Sequence, residues 1–453
     1  MKYSKKIIFI VSGIIVFGIV CAFIFPDFKI KTLTSYFKNE TVQNDFIEKD
    51  STSSLIIDLM KMHPGWFSNI LDSLSTYEVQ IIYTQINRDE DNKPHFKEYS
   101  FRLNDKAYFN PASLVKLPVS LMSLEKLNLL KVPGLNKDCR IKFDSAYNCQ
   151  LKYETDTNVI DKIPTISHYI EEIMLVSDND AYCRLYEFLG QQYLNEHLWD
   201  MGYKKTLILQ RFNYCCYDCN KYTNPVCLYN DKDEIIYQQP LVINPENYKN
   251  PLGEIKKGHA YYDGHNRYIE KPKDFSYSNN LPLQDVHDIL LSLIFPEDVP
   301  ENKSFKLTKK DRDFIIRFMA MYPRESDFLA YHNVNLYPDN FKKYFLWGNT
   351  GKSITDTSKR SINIVGQSFG YLADCAYIVD FKNQLEFILT AVIFTNKDGI
   401  FHPTHYQYTS IGLPFLENLG NTFYNYELTR VKKFKPNLTE LEQNLKAINN
   451  KHK

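Results

Sequence analysis

The stretch Phe109-Asn110-Pro111-Ala112-Ser113-Leu114-Val115-Lys116 decides how the rest of the chain is read. Asparagine is a helix-capping residue, and Pro111 suits the first helical position, where no amide hydrogen is needed. Ser113 then opens the helix, with its hydroxyl in the positive field of the N-terminus. Lys116 falls on the same face, within reach of that hydroxyl. A serine hydroxyl is a poor nucleophile until a base takes its proton, and a desolvated lysine amine can serve as that base. The spacing alone is a weak signal, because Ser35 to Lys38 and Ser123 to Lys126 share it. Read without chemistry, Ser113 is a cap-region serine and Lys116 a surface lysine.

A second motif sharpens the reading. Ser177-Asp178-Asn179 occurs once, and the amphipathic run Thr165–Val176 precedes it as a helix. Asp180–Gly190 follows as another helix, closed by its glycine. The two motifs, in this order and with these flanks, resemble those of class A β-lactamases and penicillin-binding proteins. That resemblance implies Ser113 as nucleophile, Lys116 as its base, Ser177 as a proton shuttle to the leaving group, and Asn179 as the residue orienting Lys116 and the substrate.

Outward from the motifs, Ser54 to Leu74 reads as helical. Tyr77–Tyr83 alternates, breaks at Asp89-Glu90-Asp91-Asn92 and resumes at Tyr99–Leu103, which is a hairpin. From Ser113 to about Phe345 the pattern is mainly helical, with Gln284–Leu293 and Lys309–Met321 the clearest runs. Strands return at Ser361–Val365, Phe369–Val379 and Leu385–Phe394, and a helix runs from Pro414 to about Tyr426. Strands early, helices in the middle and strands late predict an α+β fold, a five-stranded antiparallel sheet built from both chain ends with an inserted all-α domain. That order is the β-lactamase/transpeptidase-like one, and the resemblance spans about 55–428. The sheet part is then 55–112 and 346–428, and the α part 113–345. Residues 27–54 read as a tether and 429–453 as a charged tail. The stretch from about 215 to 280 is longer and more aromatic than the loop usual in that family.

The family's third motif, Lys-Thr/Ser-Gly on the strand beside the nucleophile, has two candidate registers. Asn349-Thr350-Gly351-Lys352 is closer by letters, but it runs into the polar stretch Ser353 to Arg360. Ile364-Val365-Gly366 lies on a strand that turns at once into Phe369-Gly370-Tyr371, and it is the preferred register. Gly366 and Gln367 then line the substrate site, and the amides of Ser113 and Gln367 form the oxyanion hole. Either register lacks the motif lysine, leaving Lys352 or Arg360 as sources of charge or as ordinary surface cations. The family's deacylating glutamate, two residues after an arginine, corresponds to Asn213 in Arg211-Phe212-Asn213. Asn213 cannot act as a base, Asp218 is the nearest carboxylate, and Arg211 reads as a brace for the loop. The expected activity is acyl-serine hydrolysis of a β-lactam or a related amide or ester, with slow deacylation. The alternatives are a D-Ala-D-Ala-type cell-wall peptidase and a catalytically impaired binding module of the cell envelope.

Composition bounds the rest. The 453 residues allow a large core. Lysine plus arginine equals aspartate plus glutamate at 54 each, so no net field favours nucleic acid. Lys2, Lys5 and Lys6 precede an apolar run from Ile7 to Phe25, closed by Pro26. The run is near the length of a membrane-spanning helix. Residues 1–26 therefore read as a single-pass anchor with the remainder exported, the lysines staying inside. A cleaved signal peptide is the alternative, although no small-x-small site precedes Pro26. Cys21 invites a lipoprotein reading, against which stands the bulk of Val20. Of the nine cysteines, Cys139 and Cys149 are placed to bridge, and Cys215, Cys216, Cys219 and Cys227 crowd one loop. Without a histidine among them, disulfides or plain thiols are favoured over zinc. No metal or organic cofactor is called for.

Overall fold

The computed structural model describes residues 47–446 apart from 160, 213–217, 349–350, 352 and 403. The apolar run Ile7 to Phe25, Asn213, Cys215, Cys216, Asn349, Thr350 and Lys352 lie outside the described residues. Among the described residues, no helix is long and apolar enough to cross a membrane.

Six strands form the main sheet: β1 (Ile47–Asp50), β2 (Gln80–Arg88), β3 (Pro94–Phe101), and, after further strands in between, Lys359–Ser368, Tyr371–Asp380 and Leu385–Phe394. The early hairpin pairs Ile81 with Phe101, and β2 pairs antiparallel with Leu385–Phe394, Gln85 opposite Phe387. The two ends of the chain thus meet in one sheet, as expected. The predicted count of five strands is corrected to six, because β1 adds in parallel to β3, Ile47 opposite Phe96. The strand falls inside the stretch read as a tether. Only Ile47 of its four residues is buried, so a polar sequence suffices at that sheet edge.

Both faces of the sheet are covered, which explains why its late strands are almost continuously apolar. Along Tyr371–Asp380, Tyr371, Ala373 and Cys375 enter one core, while Leu372, Ala376 and Ile378 enter the other. The second core is closed by α1 (Leu55–Lys61), α2 (Pro64–Leu71) and a long helix near the C-terminus, Leu413–Thr429. That long helix presents Phe415, Leu416, Leu419 and Phe423 at helical spacing. The single helix expected over Ser54 to Leu74 is broken, because Pro64 cannot continue α1 and instead opens α2. Residues Leu74–Tyr77 are also helical, so the hairpin begins at Gln80 rather than Tyr77.

The first core joins the sheet to the inserted helices. These are α3 (Lys116–Leu130), α4 (Ile166–Val176), α5 (Asn179–Leu189), α6 (Gln191–Asp200), α7 (Leu283–Ile294) and α8 (Lys309–Ala320). In α3, Lys116 through Glu125 are all buried, which makes it the central helix of the insertion. The insertion is not all-α. Arg140–Phe143 (β4), Val226–Tyr229 (β5) and Ile235–Gln239 (β6) form a three-stranded sheet, and shorter pairs occupy 222–274. The remaining strands of the main sheet are β7 (Lys359–Ser368), β8 (Tyr371–Asp380) and β9 (Leu385–Phe394), and β7 is its outer strand on that side. The long helix Leu413–Thr429 is α9. Within the stretch read as a charged tail, α10 (Thr439–Lys446) packs Leu445, with Leu438 just before it, into the first core.

Candidate active site

Ser113 sits in a tighter turn than the sequence reading gives it. Asn110 Oδ1 accepts from the Ala112 amide at 2.9 Å, and Leu114 N donates to Pro111 O at 3.0 Å. Ala112 takes a left-handed backbone, φ 45°, and Ala112–Val115 form a 3-10 turn from which α3 continues. A left-handed alanine costs about 1–3 kcal/mol, held here by the asparagine and by the strand behind it. That strand is β7. A Cβ on Gly366 would lie 2.5 Å from Pro111 O and 3.2 Å from Leu114 Cγ, so only glycine lets the strand approach the turn this closely. Gly366 of the Ile364-Val365-Gly366 register thus stands against the turn that holds Ser113.

Lys116, the first residue of α3, is 0% exposed. Its amine donates to Ser177 Oγ at 3.1 Å, to Asn179 Oδ1 at 2.8 Å and to the Ser177 carbonyl. The Phe212 ring lies 5.4 Å away, stacked on Tyr182. Burial pulls the Lys116 pKa down to about 7, helped by the charge of Lys342 and opposed by Asp178. Near neutral pH a large share of this amine is uncharged and carries a lone pair. The Ser113 hydroxyl makes no hydrogen bond among the described residues, so three of the four expected groups are joined directly. The fourth stands one turn before Lys116 on the same face.

The second motif is a corner between helices, and each residue has a structural reason to be there. Ser177 ends α4 in a left-handed conformation, φ 60°, with its amide and that of Asp178 returning to the Ile173 and Glu172 carbonyls. Asp178 caps α5 by accepting from Ala181 N at 2.9 Å. Asn179 is then the first residue of α5, aimed at Lys116.

Sequence reasoning missed a carboxyl group beneath this corner. Glu172, on α4, is buried, and burial with the nearby charges of Asp156 and Asp178 pushes its pKa up to about 9. It is protonated at neutral pH. Nothing in the helical pattern of α4 marks it, because glutamate at that position reads as a solvated face.

Arg211 does brace the loop. Fully buried, it donates to Glu187 Oε1 at 2.7 Å, to Tyr222 O at 3.2 Å and to the Cys219 carbonyl. Glu187 also accepts from Arg184 at 3.0 Å. Asp218 is exposed. Cys219 is disulfide-bonded, whereas Cys139, Cys149, Cys183, Cys227 and Cys375 form no disulfide. Cys139 and Cys149, which the spacing allows to bridge, do not do so. Among the described residues no cluster of three or more metal-ligating side chains occurs.

Arg360, one of the two candidate cations, is committed elsewhere: its guanidinium holds Glu325 through two bonds of 2.9 Å and lies over the Tyr322 ring. Gln367 is exposed, and its side-chain oxygen accepts from Tyr344 OH at 3.0 Å. Lys342, which sequence reasoning did not single out, is the cation whose charge reaches Lys116.

Residues 68–234, which include both motifs, match a model of the beta-lactamase enzyme family. No curated protein matches the chain. Solved structures that match the chain include a class A beta-lactamase from Clostridium kluyveri, 14% identical over 80% of this chain and 98% of that one, TM-score 0.40. A beta lactamase from Xanthomonas campestris is 12% identical over 81% and 98%, TM-score 0.44. PBP-A is 12% identical over 84% and 97%, TM-score 0.44. The family match and the order of elements agree on a mixed α+β, β-lactamase-like fold.

Proposed function

We propose that the protein is a serine hydrolase that forms an acyl-enzyme on Ser113 with a β-lactam or a related amide or ester. The observation that carries this is the Lys116 amine, buried, its pKa pulled down to about 7, and bonded to both Ser177 and Asn179 one turn from Ser113. In this reading neutral Lys116 takes the Ser113 proton as Oγ attacks the carbonyl carbon. The amides of Ser113 and Gln367 receive the oxyanion. The carbon–nitrogen bond then breaks, the leaving nitrogen takes the Ser177 proton, and Lys116 returns its proton to Ser177. No metal or organic cofactor enters the reaction.

Release is the slow step. Hydrolysis of the ester needs a base on the attacking water, and Asn213 at the corresponding place is not one. Losing general-base assistance costs about a hundred- to ten-thousand-fold. The same feature favours a D-Ala-D-Ala-type peptidase or a binding module with impaired turnover as the second reading. The basic, apolar start of the chain supports a membrane-anchored domain on the outer side, as does the disulfide at Cys219.

The test is labelling with a fluorescent penicillin, with Ser113→Ala as control, and mass spectrometry of the adduct over time. A long-lived adduct of one penicillin on Ser113 is expected. Rapid catalytic hydrolysis would refute slow release, and labelling that survives Ser113→Ala would refute the nucleophile. Membrane fractionation with N-terminal sequencing tests the anchor: a soluble product starting near Pro26 would overturn it.

A further inference from the structure

The end of the long stretch from about 215 to 280 reaches the segments on both sides of Ser113 and Gln367. Lys256–Lys257 and Lys273–Asp274 form a short antiparallel pair, and the chain continues as Phe275–Asn280. Phe275 is fully buried. Its ring lies 5.5 Å from that of Tyr108, just before the turn that holds Ser113. On its other side it lies 5.3 Å from the ring of Phe369, just after β7. One side chain of the insertion thus touches both segments whose amides receive the oxyanion in the acyl-serine reading.

Each contact leads on towards the reacting atoms. Tyr108 Oη accepts from Asn110 Nδ2 at 3.2 Å, which leaves Asn110 Oδ1 to accept from the Ala112 amide at 2.9 Å. That second bond supports the left-handed backbone of Ala112, next to Ser113. On the other side Phe369 is itself left-handed, φ 50°, two residues after Gln367. A bulky residue keeps that conformation only where its surroundings over-determine it. Here they are the Phe275 ring, the Lys273 ammonium 5.0 Å from the Phe369 ring centre, and Phe401 at 6.3 Å. Lys273 also stands 4.9 Å from the Tyr261 ring, so its charge is held among aromatic faces.

The insertion is fastened at two further points, so Phe275 cannot simply drift. Lys257, opposite Lys273 in the pair, donates to both Glu78 carboxylate oxygens at 2.7 Å. Glu78 in turn accepts from Tyr371 OH at 2.9 Å, at the start of β8. Further along, Asn279 Oδ1 accepts from the Leu209 and Gln210 amides at 2.8 Å, just before Arg211. A ring packed at interior density between two fixed segments acts as a spacer, because such packing leaves no slack.

Resting on the acyl-serine reading, we propose that Phe275 is a positioning residue for acylation: wedged between Tyr108 and Phe369, it sets the separation of the Ser113 and Gln367 amides that receive the oxyanion. Lys273 supports it through the same rings. The stretch 256–280 is then part of the catalytic scaffold and not an appended loop.

The experiment follows the Ser113 adduct of benzylpenicillin by quench-flow mass spectrometry at rising concentrations. It separates the first-order rate at saturation from the half-saturating concentration, and the adduct amplitude reports how much of a variant is folded. Phe275→Ala should lower the saturating rate about ten- to a hundredfold, and Phe275→Leu, which keeps bulk, should restore most of it. The half-saturating concentration should stay within about twofold, since the loss lies in the transition state. Leu228→Ala, a buried residue of the insertion's three-stranded sheet, is the control and should lower thermal stability without changing the saturating rate. Lys273→Met keeps the test open if Phe275→Ala does not fold, with a fall of about two- to fivefold expected. An unchanged saturating rate in the folded variants, or an equal fall in Leu228→Ala, overturns the positioning role and leaves the hydrolase reading standing. A wild type that is not acylated overturns both.

Discussion

Replacing Gly366 by alanine tests the site at its narrowest point. The added Cβ would stand 2.5 Å from the Pro111 carbonyl oxygen, a backbone atom in the turn that holds Ser113. Ordinary contact begins near 3.4 Å, so strand and turn must separate by roughly 0.9 Å. Leu114 Cγ, at 3.2 Å, can yield by a small side-chain shift, but the carbonyl is tied to Leu114 N and cannot. Overpacking of this kind costs about 1–3 kcal/mol. The separation also moves the Gln367 amide away from Ser113, and misplacement by about 1 Å costs on the order of a hundredfold in rate. Acylation of Ser113 by a fluorescent penicillin should therefore fall about a hundredfold, while thermal unfolding shifts by only roughly a few degrees. Gly264→Ala, where an added Cβ meets nothing within 4 Å, is the control and should change neither. If Gly366→Ala acylates at the wild-type rate, β7 does not build the oxyanion site and the register reading fails.

Three further outcomes follow from the charges around the site. Lys116 acts as a base only when neutral, and its pKa is about 7, so stopped-flow acylation should rise about tenfold per pH unit below 7 and level off above it. Glu172 has a folded pKa near 9 against an ordinary 4.5, so the native state loses stability relative to the unfolded chain as pH rises through that window. Glu172→Gln, which copies the protonated form, should stabilise the protein at pH 7 by up to about 3 kcal/mol in denaturant titrations and flatten the loss towards pH 9. Arg211→Met strips Glu187 of one partner and frees the Cys219 and Tyr222 carbonyls, which should cost about 3–5 kcal/mol. Limited proteolysis should then cut first between 211 and 222, and early cleavage elsewhere would refute the brace.

How much of this was legible in the sequence depends on the range over which each feature is determined. The helices flanking Ser177-Asp178-Asn179 and the three late strands are written in local periodicity and appear within a few residues of their expected bounds. The hairpin began late because Tyr77, alternating with its neighbours, is claimed by a helical turn packed on the second core. Two overlooked elements had a signal. Ile141 and Phe143 alternate with Arg140 and Lys142 in β4, and Leu438, Leu441 and Leu445 recur at helical spacing before and through α10. β1 had none, since Glu48, Lys49 and Asp50 gain a partner strand without burying an apolar side chain of their own.

The site divides along the same line. Ser113 with Lys116, and Ser177 with Asn179, are each set by one turn of chain, so a short motif suffices to find them. Bringing the two pairs together takes only the packing of α3 against α5. The missing cation is a different problem. At position 364 the strand's inward face belongs to the core, and Ile364 satisfies that demand at the expense of charge. Lys343, Asn363 and Asp374, three residues distant in sequence from one another, lock the backbone of this segment to β7 and β8. No periodicity records such a lock. An isoleucine in the motif position thus marks where the charge is missing, and only the fold shows that the position serves the core instead.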